Sequence, residues 1–133
     1  MHLSFFVPGM PVQKGNIKFA RGRYFHKEGK RLETWSECVS IAAGVAMHES
    51  GEKKLVNTPI SGTAHFYMLK PKKTKAKDMP AVKPDLDKLA RGLWDPMEGI
   101  VFDNDSRICS MVLKKSWAED ASKVGVAVTI QDI

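Results

Sequence analysis

Lys83-Pro84-Asp85-Leu86-Asp87-Lys88-Leu89 marks the point where the hydrophobic period of this chain changes. Upstream, Ile60, Gly62, Ala64, Phe66 and Met68 alternate with Ser61, Thr63, His65, Tyr67 and Leu69, the period of a strand with one core face. Downstream, Leu86, Leu89, Ala90, Leu93, Trp94 and Met97 recur at three and four, the period of a helix that Pro96 and Gly99 close. Pro84 holds Lys83 extended and suits a helix threshold, so Asp85 falls at about the N-cap and Asp87 in the first turn. A strand, a lysine-rich loop and an amphipathic helix in that order begin an α/β unit.

The flanking segments fill in the rest. Residues 3–7 read as a first strand stopped by Pro8-Gly9, and residues 17–25 carry β-formers interrupted by Arg21-Gly22-Arg23, as in two short strands or an extended basic loop. Residues 33–49 place Trp35, Val39, Ala42 and Val45 or Ala46 at helical spacing before Ser50-Gly51. Residues 108–115 and 124–130 alternate as closing strands, the last with Val124, Val126, Val128 and Ile130 on one face. The expected fold is α/β (α+β): a single compact domain over residues 1–133, with two principal helices packed on a mixed, mainly antiparallel sheet.

Composition bounds the answer. A length of 133 residues suits one core, and 43% hydrophobic with 27% charged residues is too apolar for a disordered chain. No apolar run approaches the ~18 residues of a membrane span, so neither a membrane nor a secreted protein is expected. Cys38 and Cys109 lie far apart with no C-x-x-C and no neighbouring His, and read as buried free thiols in a reducing cytoplasm.

The net charge of +6 is unevenly spread. Residues 14–31 hold seven basic side chains against one acid, and residues 70–83 hold six against one. Lys14, Lys18, Arg21, Arg23, Lys72, Lys73, Lys75, Lys83 and Lys88 are therefore the candidates for contact with a polyanion backbone, with Tyr24 and Phe25 available to stack on bases. Between Asp85 and Asp105 the sign reverses, with six acids: Asp85, Asp87, Asp95, Glu98, Asp103 and Asp105.

A carboxylate at a helix N-terminus ordinarily caps orphan N–H groups and complements the helix dipole. Two of them at a strand-to-helix corner can instead converge on a cation, and a short loop after the helix could return Asp103-Asn104-Asp105 to the same point. Crowded carboxylates repel without metal and become a site with Mg²⁺, which takes one or two carboxylates plus water and phosphate. Arg91, four residues after Asp87, either pairs with it along the helix or reaches a phosphate oxygen. A calcium loop starting at Asp103 fails, because Ile108 and Lys114 stand where Gly and Glu are required. There is no phosphate-binding P-loop, no nucleophile elbow and no H-E-x-x-H, and the scattered His2, His26, His48 and His65 receive no chemistry.

Lys83-Pro84-Asp85-Leu86-Asp87-x-Leu89, followed after the helix by Asp105-Ser106-x-Ile108 and a strand, resembles the RusA family of Holliday-junction resolvases. Val7-Pro8-Gly9-x-Pro11-Val12-x-Lys14-Gly15 and Arg21-Gly22-Arg23-Tyr24 look like that family's first strand and basic loop. The likeness is strong over residues 83–115 and looser before them. It implies a homodimer that cuts four-way and other branched DNA by paired nicks with Mg²⁺, Mn²⁺ being a substitute, and no small organic cofactor. It also implies catalytic and metal-binding roles for Asp85, Asp87 and Asp105, a catalytic role for Arg91, and work in the bacterial cytoplasm, or that of the host if phage-encoded. Lys88 stands where the family usually has Asn, and Arg91 where Lys is common; a planar guanidinium is not equivalent to an ammonium. The rival readings are a non-enzymatic basic nucleic-acid-binding module and a Mg²⁺ phosphohydrolase for a small substrate.

Overall fold

The computed structural model describes residues 1–15, 17–26, 29–72 and 79–133. In chain order the elements are β1 (His2–Pro8), β2 (Ile17–Ala20), β3 (Arg23–His26), α1 (Gly29–Ser50), β4 (Ile60–Met68), α2 (Leu86–Trp94), β5 (Ile108–Trp117) and β6 (Gly125–Asp132). Single 3-10 turns cover Asp95–Met97, Asp105–Arg107 and Ala121–Lys123.

The main sheet has the order β1-β6-β4-β5. β1 and β4 each flank β6 antiparallel, while β4 and β5 run parallel, so the sheet is mixed and mainly antiparallel as expected. β2 and β3 form a separate antiparallel ribbon. Arg21 (φ 52°) and Gly22 (φ 77°) make its two-residue turn, and two left-handed residues are what a tight hairpin with right-twisted strands requires.

One face of the sheet carries the core. Ile60, Ala64, Phe66 and Met68 of β4, Leu3 and Val7 of β1, and Val126, Val128 and Ile130 of β6 are buried there. They pack against Leu32, Trp35, Val39, Ala43 and Met47 of α1 and against Leu89, Ala90, Leu93 and Trp94 of α2. Each fully buried large side chain contributes about 1.5–3 kcal/mol. Gly62 breaks the apolar row to admit Trp94, whose Cη2 would lie 3.0 Å from an added Cβ. The opposite face is polar: the Ser4 and Thr129 hydroxyls are 3.0 Å apart, and His65 bonds both Ser116 (2.8 Å) and Tyr67 (3.0 Å). The domain is thus two layers, with both helices on one side.

Three expectations need correction. α1 starts at Gly29, four residues before residue 33, because Leu32 extends the buried stripe by a turn. β5 continues to Trp117. Cys109 is exposed and Cys38 only half-buried, since β5 is the sheet's edge and its residues 109–112 are all exposed. Among the described residues, no helix is long and apolar enough to cross a membrane.

The chain leaving β1 is strapped across α2. The Lys14 N–H donates to the Lys88 carbonyl (2.9 Å), and Gly92 lies so close beneath that a Cβ there would stand 2.5 Å from the Val12 carbonyl oxygen. In an open helix Gly→Ala gains up to about 1 kcal/mol. Here the clash with backbone reverses the sign, and Gly92→Ala should lose about 1–3 kcal/mol. Denaturant melts check this; a variant as stable as the parent would mean that the strap does not seat on α2.

Candidate active site

Residues 80–88 build the head of α2. Asp85 is the N-cap with extended backbone (φ −72°, ψ 137°), and its carbonyl accepts from the Leu89 N–H at 3.0 Å, but its side chain makes no capping bond. The carboxylate is instead exposed, 3.6 Å from the Lys88 ammonium. Its own N–H donates to Gln13 Oε1 of the strap (3.3 Å). Asp87 is exposed in the first turn. Neither carboxylate is therefore consumed in closing the helix. Arg91, one turn on, is also exposed, and among the described residues no ion pair joins it to Asp87. Its guanidinium lies against Gly15, where an added Cβ would be 3.4 Å from Nη1.

Asp105 stands at the other end. It opens the 3-10 turn before β5, its N–H donating to Glu98 Oε1 at 2.7 Å. Although Asp105 is exposed, desolvation of its carboxyl, then the charges of Glu98 and Asp95, push it above the ordinary aspartate range. Asp95, at the C-cap of α2, is ion-paired with Lys14. From Asp87 to Asp95 is about 12 Å along the axis at ~1.5 Å per residue. The structure thus brings Asp105 together with Asp95 and Glu98, and leaves Asp85 and Asp87 at the far end of the helix. Among the described residues, no three carboxylate, imidazole or thiol side chains converge as a metal-holding group.

Asp103, two residues before Asp105, has a different task. Arg107 grips it through Nε (3.0 Å) and Nη2 (2.9 Å), and the Asn57 N–H adds a bond at 3.3 Å. The Arg107 hydrogen bonds hold its carboxyl well down, at about 2. With the Asp103 N–H donating to the Leu55 carbonyl (3.0 Å), this clamp ties residues 101–107 to the segment before β4.

The basic candidates separate likewise. Lys14 and Arg23 line one cleft of about 990 Å³ with Lys30, Glu33 and Asp95. Arg21 at the hairpin turn, Lys72 and Lys83 are exposed, and Lys88 is half-buried. Lys73 and Lys75 fall outside the described residues, as do the side chains of Lys18, Tyr24 and Phe25. The sequence reading assigned no role to Asp95, Glu98, Lys30 or Lys115. Asp95 carried a signal, standing seven residues, or two helical turns, after Lys88 on one face. Lys115 carried another, as a charge in the alternating apolar row Met111, Leu113, Trp117.

The donor chemistry fits Mg²⁺. All the acids offer hard oxygen ligands, one or two carboxylates suffice when water and phosphate complete the shell, and the raised Asp105 marks a place where negative charge lacks compensation. Asp85 and Asp87 could hold an ion at the head of α2, and Asp105 with Asp95 or Glu98 at its tail.

A family model described as endodeoxyribonuclease RusA matches residues 8–131, spanning the strap, the ribbon, both acid groups and β5. Among curated proteins, an uncharacterized protein, YqaN, of Bacillus subtilis (strain 168) is 22% identical over 131 residues, covering 89% of each chain.

The two aspartates of the 103–105 loop should respond to pH with opposite signs. Asp103, depressed to about 2, contributes stability above its unfolded value of 3.8 that is lost as pH falls toward 2. Asp105, raised, favours the fold only while protonated, so its contribution is present below 3.8 and lost as pH rises through its folded value. In metal-free buffer at pH 7, Asp103→Asn should therefore melt below the parent and Asp105→Asn above it. Both differences should shrink as the pH is lowered through the carboxylate range. Melts of the two variants shifting in the same direction at pH 7 would contradict this placement.

Proposed function

The chain belongs to the RusA family of endodeoxyribonucleases, and from that premise we propose that it is a Mg²⁺-dependent, structure-specific enzyme that resolves four-way DNA junctions by paired nicks. The observation that carries the reading is that the family match spans both acid groups and the basic cleft in one continuous stretch, while the head carboxylates Asp85 and Asp87 are exposed and uncommitted to capping.

Asp85 and Asp87 at the head of α2, and Asp105 with its carboxylate neighbours at the tail, would hold Mg²⁺, or Mn²⁺ in its place, which when bound would supply Lewis-acid polarisation of the scissile phosphate and an acidified water. The remaining work falls to this chain's own groups. Arg91, exposed beside Gly15, offers planar N–H donors to a phosphate oxygen and offsets charge developing there. Arg23 and Lys30 line the cleft that would receive the sugar-phosphate backbone, and Lys14 joins them by exchanging the Asp95 carboxylate for a phosphate. Glu98 keeps the Asp105 backbone in place through its N–H. A homodimer would set two such sites about a two-fold axis that matches the approximate symmetry of a four-way junction.

Asp85→Asn, Asp87→Asn and Asp105→Asn should each abolish nicking of a labelled junction while leaving metal-free binding intact or tighter, since each acid without an ion only repels phosphate. Gel assays across a Mg²⁺ titration decide it: an Asn variant that still cuts moves the site elsewhere. A wild type that binds junctions in a salt-dependent way and never nicks them returns the chain to the non-enzymatic reading.

Arg21→Ala with Arg23→Ala should weaken junction binding and flatten its salt slope by about one unit for each phosphate no longer neutralised. The rate at saturating enzyme should hold. An unchanged slope would make both residues solvated surface.

A further inference from the structure

Lys115 occupies a position that the packing reserves for an apolar side chain. In the register of β5 on β4, Met111, Leu113, Lys115 and Trp117 stand beside Gly62, Ala64, Phe66 and Met68, all four of them buried. Leu113 and Trp117 pack against the core, so Lys115 points from the edge strand to the side where the helices lie. Its ammonium donates to two backbone carbonyls two residues apart, Val82 (2.7 Å) and Pro84 (2.9 Å), immediately before Asp85.

Two ordinary explanations fail. An inward charge on an edge strand can serve to discourage strand addition, but that purpose needs no partner, and this ammonium is engaged by two. Nor does helix electrostatics ask for it: a cation beside a helix N-terminus meets the positive end of the dipole, an unfavourable placement. What the two bonds achieve is mechanical. They fix residues 82–84 against β5, and the Asp85 carbonyl then starts the helix through the Leu89 N–H.

We propose that Lys115 is a positioning residue of the nuclease site, pinning the head of α2 to β5 and so fixing where Asp85 and Asp87 stand. This rests on the reading of those two acids as functional. β5 then locates both acid groups: Asp105 precedes its first residue and Lys115 lies near its far end, so the spacing between the groups is set by a strand alongside a helix. Asp105, held by Glu98 and not by Lys115, should be insensitive to loss of the pin.

The test uses full-length Lys115→Met, which keeps the chain length and removes the ammonium, and Lys115→Arg, which keeps the donors. Three quantities are read: hydrogen exchange of residues 82–89 and 103–107 without metal, junction affinity, and single-turnover nicking across a Mg²⁺ titration. Lys115→Met should exchange faster at 82–89 and as the parent does at 103–107. It should bind junctions within about twofold of wild type and nick them about tenfold or more slowly, since small misplacements of reacting groups cost rates of this order; Lys115→Arg should restore part of the loss. The proposal is overturned if Lys115→Met exchanges like wild type at 82–89, or nicks at the wild-type rate at every Mg²⁺ concentration. It is equally overturned if affinity falls as far as rate, which would make Lys115 a phosphate contact. Should Lys115→Met not fold, Lys115→Gln, which replaces the ammonium by an uncharged amide on a stem one atom shorter, is put through the same measurements. A wild type without Mg²⁺-dependent nicking sinks the nuclease reading, while exchange at 82–89 still decides whether the pin exists.

Discussion

Parallel pairing of β4 with β5 cannot be closed by a hairpin; the chain must cross back over one face of the sheet before the second strand begins. That crossover carries α2, and with it every residue considered for catalysis. It fixes the direction of the helix: the head lies at the end where β4 finishes and β5 also finishes, the tail where β5 starts. The Lys115 bonds at one end and the Asp105–Glu98 bond at the other are the local expressions of this geometry. The strap over Gly92 and the two-layer packing around Trp94 follow from a helix held against the sheet in that orientation.

The same constraint explains what the sequence disclosed and what it did not. The change of period at Pro84, the alternation in β4 and β6 and the apolar stripe of α1 are local signals, and each identifies its element to within a few residues. The grouping of the acids is not local. Sequence reasoning has a return loop carry Asp105 back to the head of the helix, but a short loop after a crossover helix delivers the chain to the start of the next strand, which is the tail. Asp95 and Glu98 are neighbours of Asp105 for that reason, and no spacing rule along the chain announces it. Asp85 is legible as an N-cap position, whereas the missing capping bond of its side chain is not. Exposure on an edge strand likewise escapes periodicity, which is why Cys109 lies at the surface.

Electrostatically the molecule keeps its charges in tension. The basic strap enters the acidic region itself, Lys14 lying on Asp95, and within α2 Lys88 stands near Asp85. In the absence of nucleic acid these ammonium groups moderate the repulsion among carboxylates that a cation would otherwise have to relieve. A polyanion offers them an alternative partner, so arrival of the backbone and exposure of the acids to an ion are coupled in charge even where no side chain moves far.

Asp103-Asn104-Asp105 reads like a symmetric pair of acids, yet the structure gives one a guanidinium clamp and the other an uncompensated place beside two carboxylates. The two are not exchangeable, and only Asn104 stands between them. Loss or gain of one residue between Phe102 and Ile108 would bring a neutral neighbour, Asn104 or Ser106, to a position that an acid now holds, while leaving the composition of the loop almost untouched. In descent from a common ancestor, then, the length of this loop should drift far less than its lettering.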